Sequence, residues 1–116
     1  ARGLDGLLAI VVVTTDKCYE NQESTHAYRE SDPLGGYDPY SSSKACTEIL
    51  THAWRRSFFS APDAPRIATA RAGNVIGGGD WSANRLVPDI LQAFAAGRPA
   101  QLRHPDSVRP WQHVLD

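Results

Sequence analysis

Two runs of this chain are apolar at almost every position, and the stretch between them is apolar only along a stripe. Residues 7–13, Leu7-Leu8-Ala9-Ile10-Val11-Val12-Val13, are continuous and rich in β-branched side chains, which predicts a strand of the kind that parallel sheets bury on both faces. The run stops abruptly in Thr14-Thr15-Asp16-Lys17. Residues 66–72 predict a second buried strand, built around Ile67-Ala68-Thr69-Ala70 and running out into Gly73-Asn74-Val75-Ile76-Gly77-Gly78-Gly79-Asp80-Trp81. Between them, residues 39 to about 59 predict a long helix: Pro39 suits a first helical position, and Ala45, Cys46, Ile49, Leu50, Ala53, Trp54 and Phe58 recur at helical spacing as a core-facing stripe. Residues 61–65, with two prolines, break it. A second helix is predicted over 85–96, with Leu86, Ile90, Leu91 and Phe94 inward and Gly97 as its stop.

Two connections carry no periodicity. Residues 18–38 are polar and broken by Pro33 and Gly35-Gly36; a loop of that length within a compact domain is usually functional. Residues 98–116 are punctuated by proline, with Arg103, Arg109 and Trp111 standing out as candidate phosphate or ring contacts. Strand, helix, strand is the parallel βαβ unit, and open α/β sheets bind ligands outside the carboxyl ends of their strands. Both polar clusters, residues 14–17 and the stretch after Ala72, then fall on one edge of the sheet.

Composition narrows the function. The 116 residues carry 41% hydrophobic side chains, enough for one core, and a net charge of −1 with no basic stripe or polybasic run. Nucleic acid and membrane surfaces are therefore poor partners, and small-molecule chemistry is the default. Cys18 and Cys46 are too few for a disulfide framework and too far apart for a zinc pattern, which fits a reducing cytoplasm. His26, His52, His104 and His113 show no metal-ligand spacing. The longest apolar run, seven residues, is far short of a membrane span. The chain has no methionine and starts at Ala1, directly before a strand that needs neighbours on both sides, so we expect a piece of a longer protein whose N-terminal part is missing.

The sharpest chemical signal is Tyr40-Ser41-Ser42-Ser43-Lys44. Positions four apart share a helix face, so Tyr40 and Lys44 point the same way. A phenol titrates near pH 10 in isolation, and a fixed ammonium one turn away stabilises the phenolate. The pair reads either as acid/base machinery or as an exposed aromatic beside a solvated lysine. Thr14 to Lys17 similarly read as a site at a strand end or as a strand cap. Gly77-Gly78-Gly79 is not a dinucleotide fingerprint, since no register places glycine first, third and sixth. Its use is close backbone approach to a ligand, or a turn.

Several blocks together, Thr15-Asp16-Lys17-Cys18-Tyr19, Asp38-Pro39-Tyr40-Ser41, Ala70-Arg71-Ala72-Gly73-Asn74-Val75-Ile76-Gly77-Gly78-Gly79-Asp80-Trp81, Arg85-Leu86-Val87-Pro88-Asp89 and Arg109-Pro110-Trp111-Gln112-His113, carry a family likeness. They resemble the extended short-chain dehydrogenase/reductase, or NAD-dependent epimerase/dehydratase, family of nucleotide-sugar enzymes, and within it the 4,6-dehydratase branch that acts on CDP-glucose. The resemblance implies an α/β fold: a partial Rossmann-like, doubly wound parallel sheet, with residues 1–80 as part of the NAD-binding domain and 81–116 as the start of the substrate-binding portion. It implies a tightly bound NAD and a homo-oligomeric parent. Tyr40 would take the proton from the sugar 4-hydroxyl, Lys44 would hold the ribose, and Thr15 would hydrogen-bond the same hydroxyl. Asp16 would protonate the departing 6-hydroxyl. Thr14, Tyr40, Lys44 and the Ala72 backbone match cofactor contacts, and Asn74, Arg85 and Arg109 match positions that hold the nucleotide diphosphate. Lys17 stands where the dTDP-glucose branch carries a glutamate base; it would either take the carbon-5 proton, for which it must be neutral, or orient the sugar as a charge. The family's pyrophosphate-binding glycine turn would precede Ala1. A 4-epimerase or decarboxylase of the same family needs the Tyr and Lys but no acid at the 6-hydroxyl, so Asp16 argues against it. A non-catalytic fragment is the reading from a different class.

Overall fold

The computed structural model describes residues 5–20, 22 and 24–116; the first four residues and positions 21 and 23 of the expected loop lie outside them. It divides into two compact units, Ala1–Ala72 and Gly73–Asp116.

In the first unit, β1 (Ala9–Thr15) pairs in parallel with β2 (Arg66–Ala72), and α1 (Pro39–Phe58) is the crossover between them. The register runs from Ala9 opposite Arg66 to Thr15 opposite Ala72, so both strands end on one line. There β1 gives way to a 3-10 turn over Asp16–Cys18, whose N-cap is Thr15. Helix α1 begins where its local chemistry tells it to. The Asp38 carboxylate accepts from the backbone N–H of Tyr40 at 2.9 Å and of Ser41 at 3.0 Å, satisfying two amides that the first turn leaves without partners. Pro39 fills the first position, where no N–H is needed. The Ser41 hydroxyl adds a 2.6 Å bond to the same carboxylate and, with those amides, holds it below the usual range.

The preceding residues are fitted to that start. A Cβ at Gly36 would lie 2.4 Å from the Ser42 nitrogen and 2.5 Å from the Ser41 Cβ, so only glycine passes there. The Ser42 hydroxyl donates to the Gly36 carbonyl at 2.9 Å. The long loop is also tied at its base: Tyr19 bridges Leu34, Glu20 N–H donates to Pro33 O at 3.1 Å, and Gly35 N–H donates to Cys18 O at 3.0 Å.

Burial departs from the sequence expectation in a consistent way. The strands alternate, with Ile10 and Val12 partly covered while Val11 and Val13 are 61% and 71% exposed. A helix covers one sheet face only, and strands suited to two-sided burial keep one side open. Of the stripe expected to form the core of α1, Ala45 is buried, while Cys46, Ile49, Leu50, Ala53, Trp54 and Phe58 are exposed. A cleft of about 320 Å³ remains between Leu50, Trp54 and Phe59 on one side and Ile10, Val12 and Ile67 on the other. Tight packing is found instead at the carboxyl ends of the strands, where Thr14, Cys18, Tyr19, Ser41, Ala45 and Glu48 are buried.

The second unit pairs β3 (Asn74–Ile76) in parallel with β4 (Trp111–His113) and carries α2 (Leu86–Ala95). Both short strands lie where the sequence pattern showed only irregular chain. Helix α2 ends before Gly97, as expected, but Leu86, Leu91 and Phe94 face solvent rather than inward; Pro88 and Ala93 are the buried positions. The unit has too few elements to cover the helix's broad apolar stripe.

A folded monomer of this mass exposes roughly 6,200 Å², whereas this chain exposes 9323 Å². Residues 1–116 expressed alone should therefore bind an apolar dye strongly and melt in urea without a cooperative transition. A sharp two-state urea curve with little dye binding would contradict this.

Candidate active site

The candidate residues of the first unit come from the ends of β1 and β2, from the 3-10 turn after β1 and from α1, which packs on that turn. Thr15, the last strand residue, turns its hydroxyl toward that turn: it donates to the Asp16 carboxylate at 3.0 Å and accepts the Lys17 N–H at 3.3 Å. Thr15, Asp16 and Lys17 are all partly exposed. On α1, the Lys44 Nζ lies 5.5 Å from the centroid of the Tyr40 ring, a cation–π distance, and the tyrosine is 55% exposed. The shared face read from the four-residue spacing is thus present. Ala72 sits opposite Thr15 in the sheet register, at the end of the neighbouring strand.

Thr14 is turned the other way. Its buried hydroxyl donates to the Glu48 carboxylate and lies 3.5 Å from the Ala70 carbonyl. Glu48, one helical turn beyond Lys44, also accepts from Arg71 Nη2 at 3.0 Å. Arg71 Nη1 donates to the Tyr19 hydroxyl at 2.8 Å, and the guanidinium lies 4.8 Å from the Tyr19 ring centroid. Tyr19 in turn stacks on Tyr28 at 4.8 Å. Burial alone would push the Glu48 carboxyl up, but hydrogen bonds from Arg71, Thr14 and Thr69 outweigh it and keep the group ionised below the ordinary glutamate range. The same bond makes Arg71 hold its proton more tightly than usual. Burial pushes the Cys18 thiol up, against the pull of Arg71.

Sequence reasoning did not single out this Glu48–Arg71–Tyr19 cluster. Two signals were available: a glutamate on the half of α1 that faces the sheet, and a second arginine in β2, set among the small and apolar residues that follow Arg66.

Asn74, Arg85 and Arg109 belong to the second unit. Asn74 pairs with Trp111, and its N–H donates to the Pro110 carbonyl at 2.9 Å, which brings the residue next to Arg109 beside the start of β3. Arg85 is the N-cap residue of α2 without a side-chain capping bond, and it helps to hold the Asp80 carboxyl below its usual range, behind the larger effect of the Ser82 hydrogen bonds. Arg103 is engaged by Asn84 at 2.7 Å. In the glycine run, a Cβ at Gly77 would lie 2.9 Å from Val114 Cγ1, so the close approach there is to the protein's own chain.

Among the described residues no group of acidic, histidine and cysteine side chains is arranged to hold a metal ion, and no helix is long and apolar enough to cross a membrane. Thr15, Asp16 and Lys17 lie at the carboxyl edge of a parallel sheet, the edge outside which open α/β folds bind their ligands.

Known proteins resemble this chain in sequence and in fold. The chain is 52% identical over 112 residues to CDP-glucose 4,6-dehydratase of Salmonella typhimurium, a match covering 93% of this chain and 31% of the relative. It is 29% identical over 106 residues to dTDP-glucose 4,6-dehydratase of Haemophilus influenzae, covering 90% and 30%. The crystal structure of dTDP-glucose 4,6-dehydratase from Bacillus anthracis, in complex with NAD, superposes with a TM-score of 0.78 at 28% identity over 92% of this chain and 33% of that one. The chain thus spans about a third of the length of the relatives it matches. The partial Rossmann-like fold and the NAD cofactor expected from the sequence agree with these relatives. A sequence model of the NAD dependent epimerase/dehydratase family matches residues 2–116, and the chain belongs to that family.

Proposed function

We propose that the protein carrying this chain is an NAD-dependent nucleotide-sugar 4,6-dehydratase that converts CDP-glucose to CDP-4-keto-6-deoxyglucose. The observation that carries this reading is the packing of α1, with Tyr40 and Lys44, on the turn that holds Asp16 and Lys17. One element supplies a base beside a fixed charge and the other an acid, and loss of water from a sugar needs both. The preference for CDP-glucose rests on the 52% identity to the Salmonella enzyme.

The residues present suit the cofactor. Lys44 offers an ammonium for ribose hydroxyls beside the edge on which Thr15 and Ala72 end their strands, with the partly exposed Ala72 alongside, whereas Thr14 is buried with its hydroxyl on Glu48. NAD, when bound there, would supply the acceptor and donor for a hydride that leaves the sugar and comes back to it. Tyr40 removes the proton of the 4-hydroxyl, with Lys44 stabilising the phenolate and Thr15 holding the same oxygen. The ketone at carbon 4 acidifies the hydrogen on carbon 5. Lys17, beside the sugar, either accepts that proton or orients the ring, while Asp16 delivers its proton to the 6-hydroxyl, which leaves as water. Asn74, Arg85 and Arg109 hold the diphosphate; we assign residues 1–80 to the NAD-binding domain, whose end supplies Asn74, and residues 81–116 to the start of the substrate-binding portion. Two free cysteines suit a cytoplasmic enzyme, and we take it to be a homo-oligomer.

The full-length enzyme should turn CDP-glucose into a product lighter by one water, with no stoichiometric NADH. Mass spectrometry reads this directly, and a product of unchanged mass would rule the dehydratase out. Two substitutions separate the roles. Tyr40→Phe should slow every step by ~10²–10⁴-fold, the usual worth of a general acid/base. Asp16→Asn should still oxidise the sugar, so that reduced nicotinamide and a 4-keto hexose accumulate in single-turnover absorbance traces. Equal loss of hydride transfer in both variants would refute this division of labour.

A further inference from the structure

Glu48 is the only carboxylate buried among the described residues, and a buried charge, costly unless paired and hydrogen-bonded, often adds no stability even then. Its place on α1 is informative. Tyr40, Lys44 and Glu48 are four apart, and each such step turns about 40° around the helix. The row therefore passes from the half-exposed Tyr40 through the partly covered Lys44 to the buried Glu48, at the sheet. There the carboxylate meets Thr14 and Arg71, which are opposite one another in the register, one position before the Thr15 and Ala72 pair that ends the strands.

The same cluster also brackets the 3-10 turn. Thr14 lies just before Thr15 and the turn, Tyr19 lies directly after Cys18, and both are held by the Glu48–Arg71 pair, through Glu48 and through Arg71 at 2.8 Å respectively. One ion pair thus grips α1, both strand ends and both flanks of the turn. Arg71 Nε is buried with no hydrogen-bond partner among the described residues, a cost that stability alone would remove by an apolar replacement.

We propose that Glu48 and Arg71 are a positioning pair, which fixes the distance between Tyr40 and Lys44 on the helix and Asp16 and Lys17 on the turn. This rests on the dehydratase reading for its catalytic consequence, not for its geometry. Both steps of the reaction use one sugar, so the two groups must stay in mutual register, and a misplacement of about 1 Å can cost ~10²-fold in rate. Asn74, Arg85 and Arg109 belong to the other unit, so substrate binding should be spared.

The test uses the full-length holoenzyme, with Glu48→Gln and with the double variant Glu48→Leu, Arg71→Met, which removes both buried charges and so need not lose stability. Two readouts are taken: kcat and KM for CDP-glucose, and amide hydrogen exchange at residues 16–19 and 40–44 without substrate. In both variants kcat should fall about 10–100-fold with KM changed by less than about threefold, and exchange at both segments should rise by about tenfold. A double variant with wild-type kcat and exchange would overturn the proposal, as would a raised KM at unchanged kcat. A double variant that does not fold would overturn it too, since the pair would then serve the fold and not the site. Should the wild-type enzyme leave CDP-glucose unchanged, the dehydratase reading falls, and the exchange measurement still decides the positioning role.

Discussion

Parallel pairing of β1 with β2 is the constraint from which the rest follows. Two parallel neighbours cannot be joined by a tight turn, so the chain must leave at one end of the sheet, cross a face and re-enter at the other. Here α1 makes that crossing. The pairing also sets Thr15 beside Ala72, so both strands release the chain at the same edge. The loop that brings the chain from β1 to α1 starts at that edge, and the first turn of the helix lies there with Tyr40 and Lys44. Asp16, Tyr40 and Lys44 share one edge because the topology leaves them no other.

The interior at this edge is polar in an unusual proportion. Cys18, Tyr19 and Ala45 are buried with Thr14, Ser41 and Glu48, whereas the long aliphatic side chains of β1 and the aromatic end of α1 remain half open. Apolar contacts are non-directional and tolerate sliding by a fraction of a turn. Charged hydrogen bonds with fixed geometry do not. The chain thus places its directional contacts where separation of groups matters and its permissive ones farther away. Asp38, at the foot of the same helix, serves the same end, since a cap fixes the residue at which the helix starts.

Much of this was legible in the residues. The bounds of β2 and the start of α1 follow directly from composition and proline, and the Tyr40–Lys44 face follows from helical spacing. The core was not legible. Ile49, Leu50, Trp54 and Phe58 have the right periodicity for burial, but periodicity gives the side of a helix and not whether this chain covers it. Likewise Leu86, Leu91 and Phe94 mark a face that stays open. Strands β3 and β4 escaped because three residues are too few for an alternating pattern to register. Of the candidate site, Thr14 to Lys17 were singled out from their place at a strand end. Glu48, Arg71 and Tyr19 were not, because their meaning lies in contacts across as many as 52 residues of chain.

The narrow passage at Gly36 carries a further consequence for how this loop can vary. Its base is closed by the bonds from Glu20 to Pro33 and from Gly35 to Cys18, and its exit is threaded against the nitrogen of Ser42 with no space for a single methyl group. Insertions and deletions between positions 20 and 33 change only the length of a stalked excursion, and loop closure penalises added length weakly. The six positions from 33 to 38 form the stalk itself, where one residue more or fewer would move Gly36 or Asp38 out of its fit against the first turn of α1. Relatives that differ in this loop should therefore differ in its crown and keep its stem.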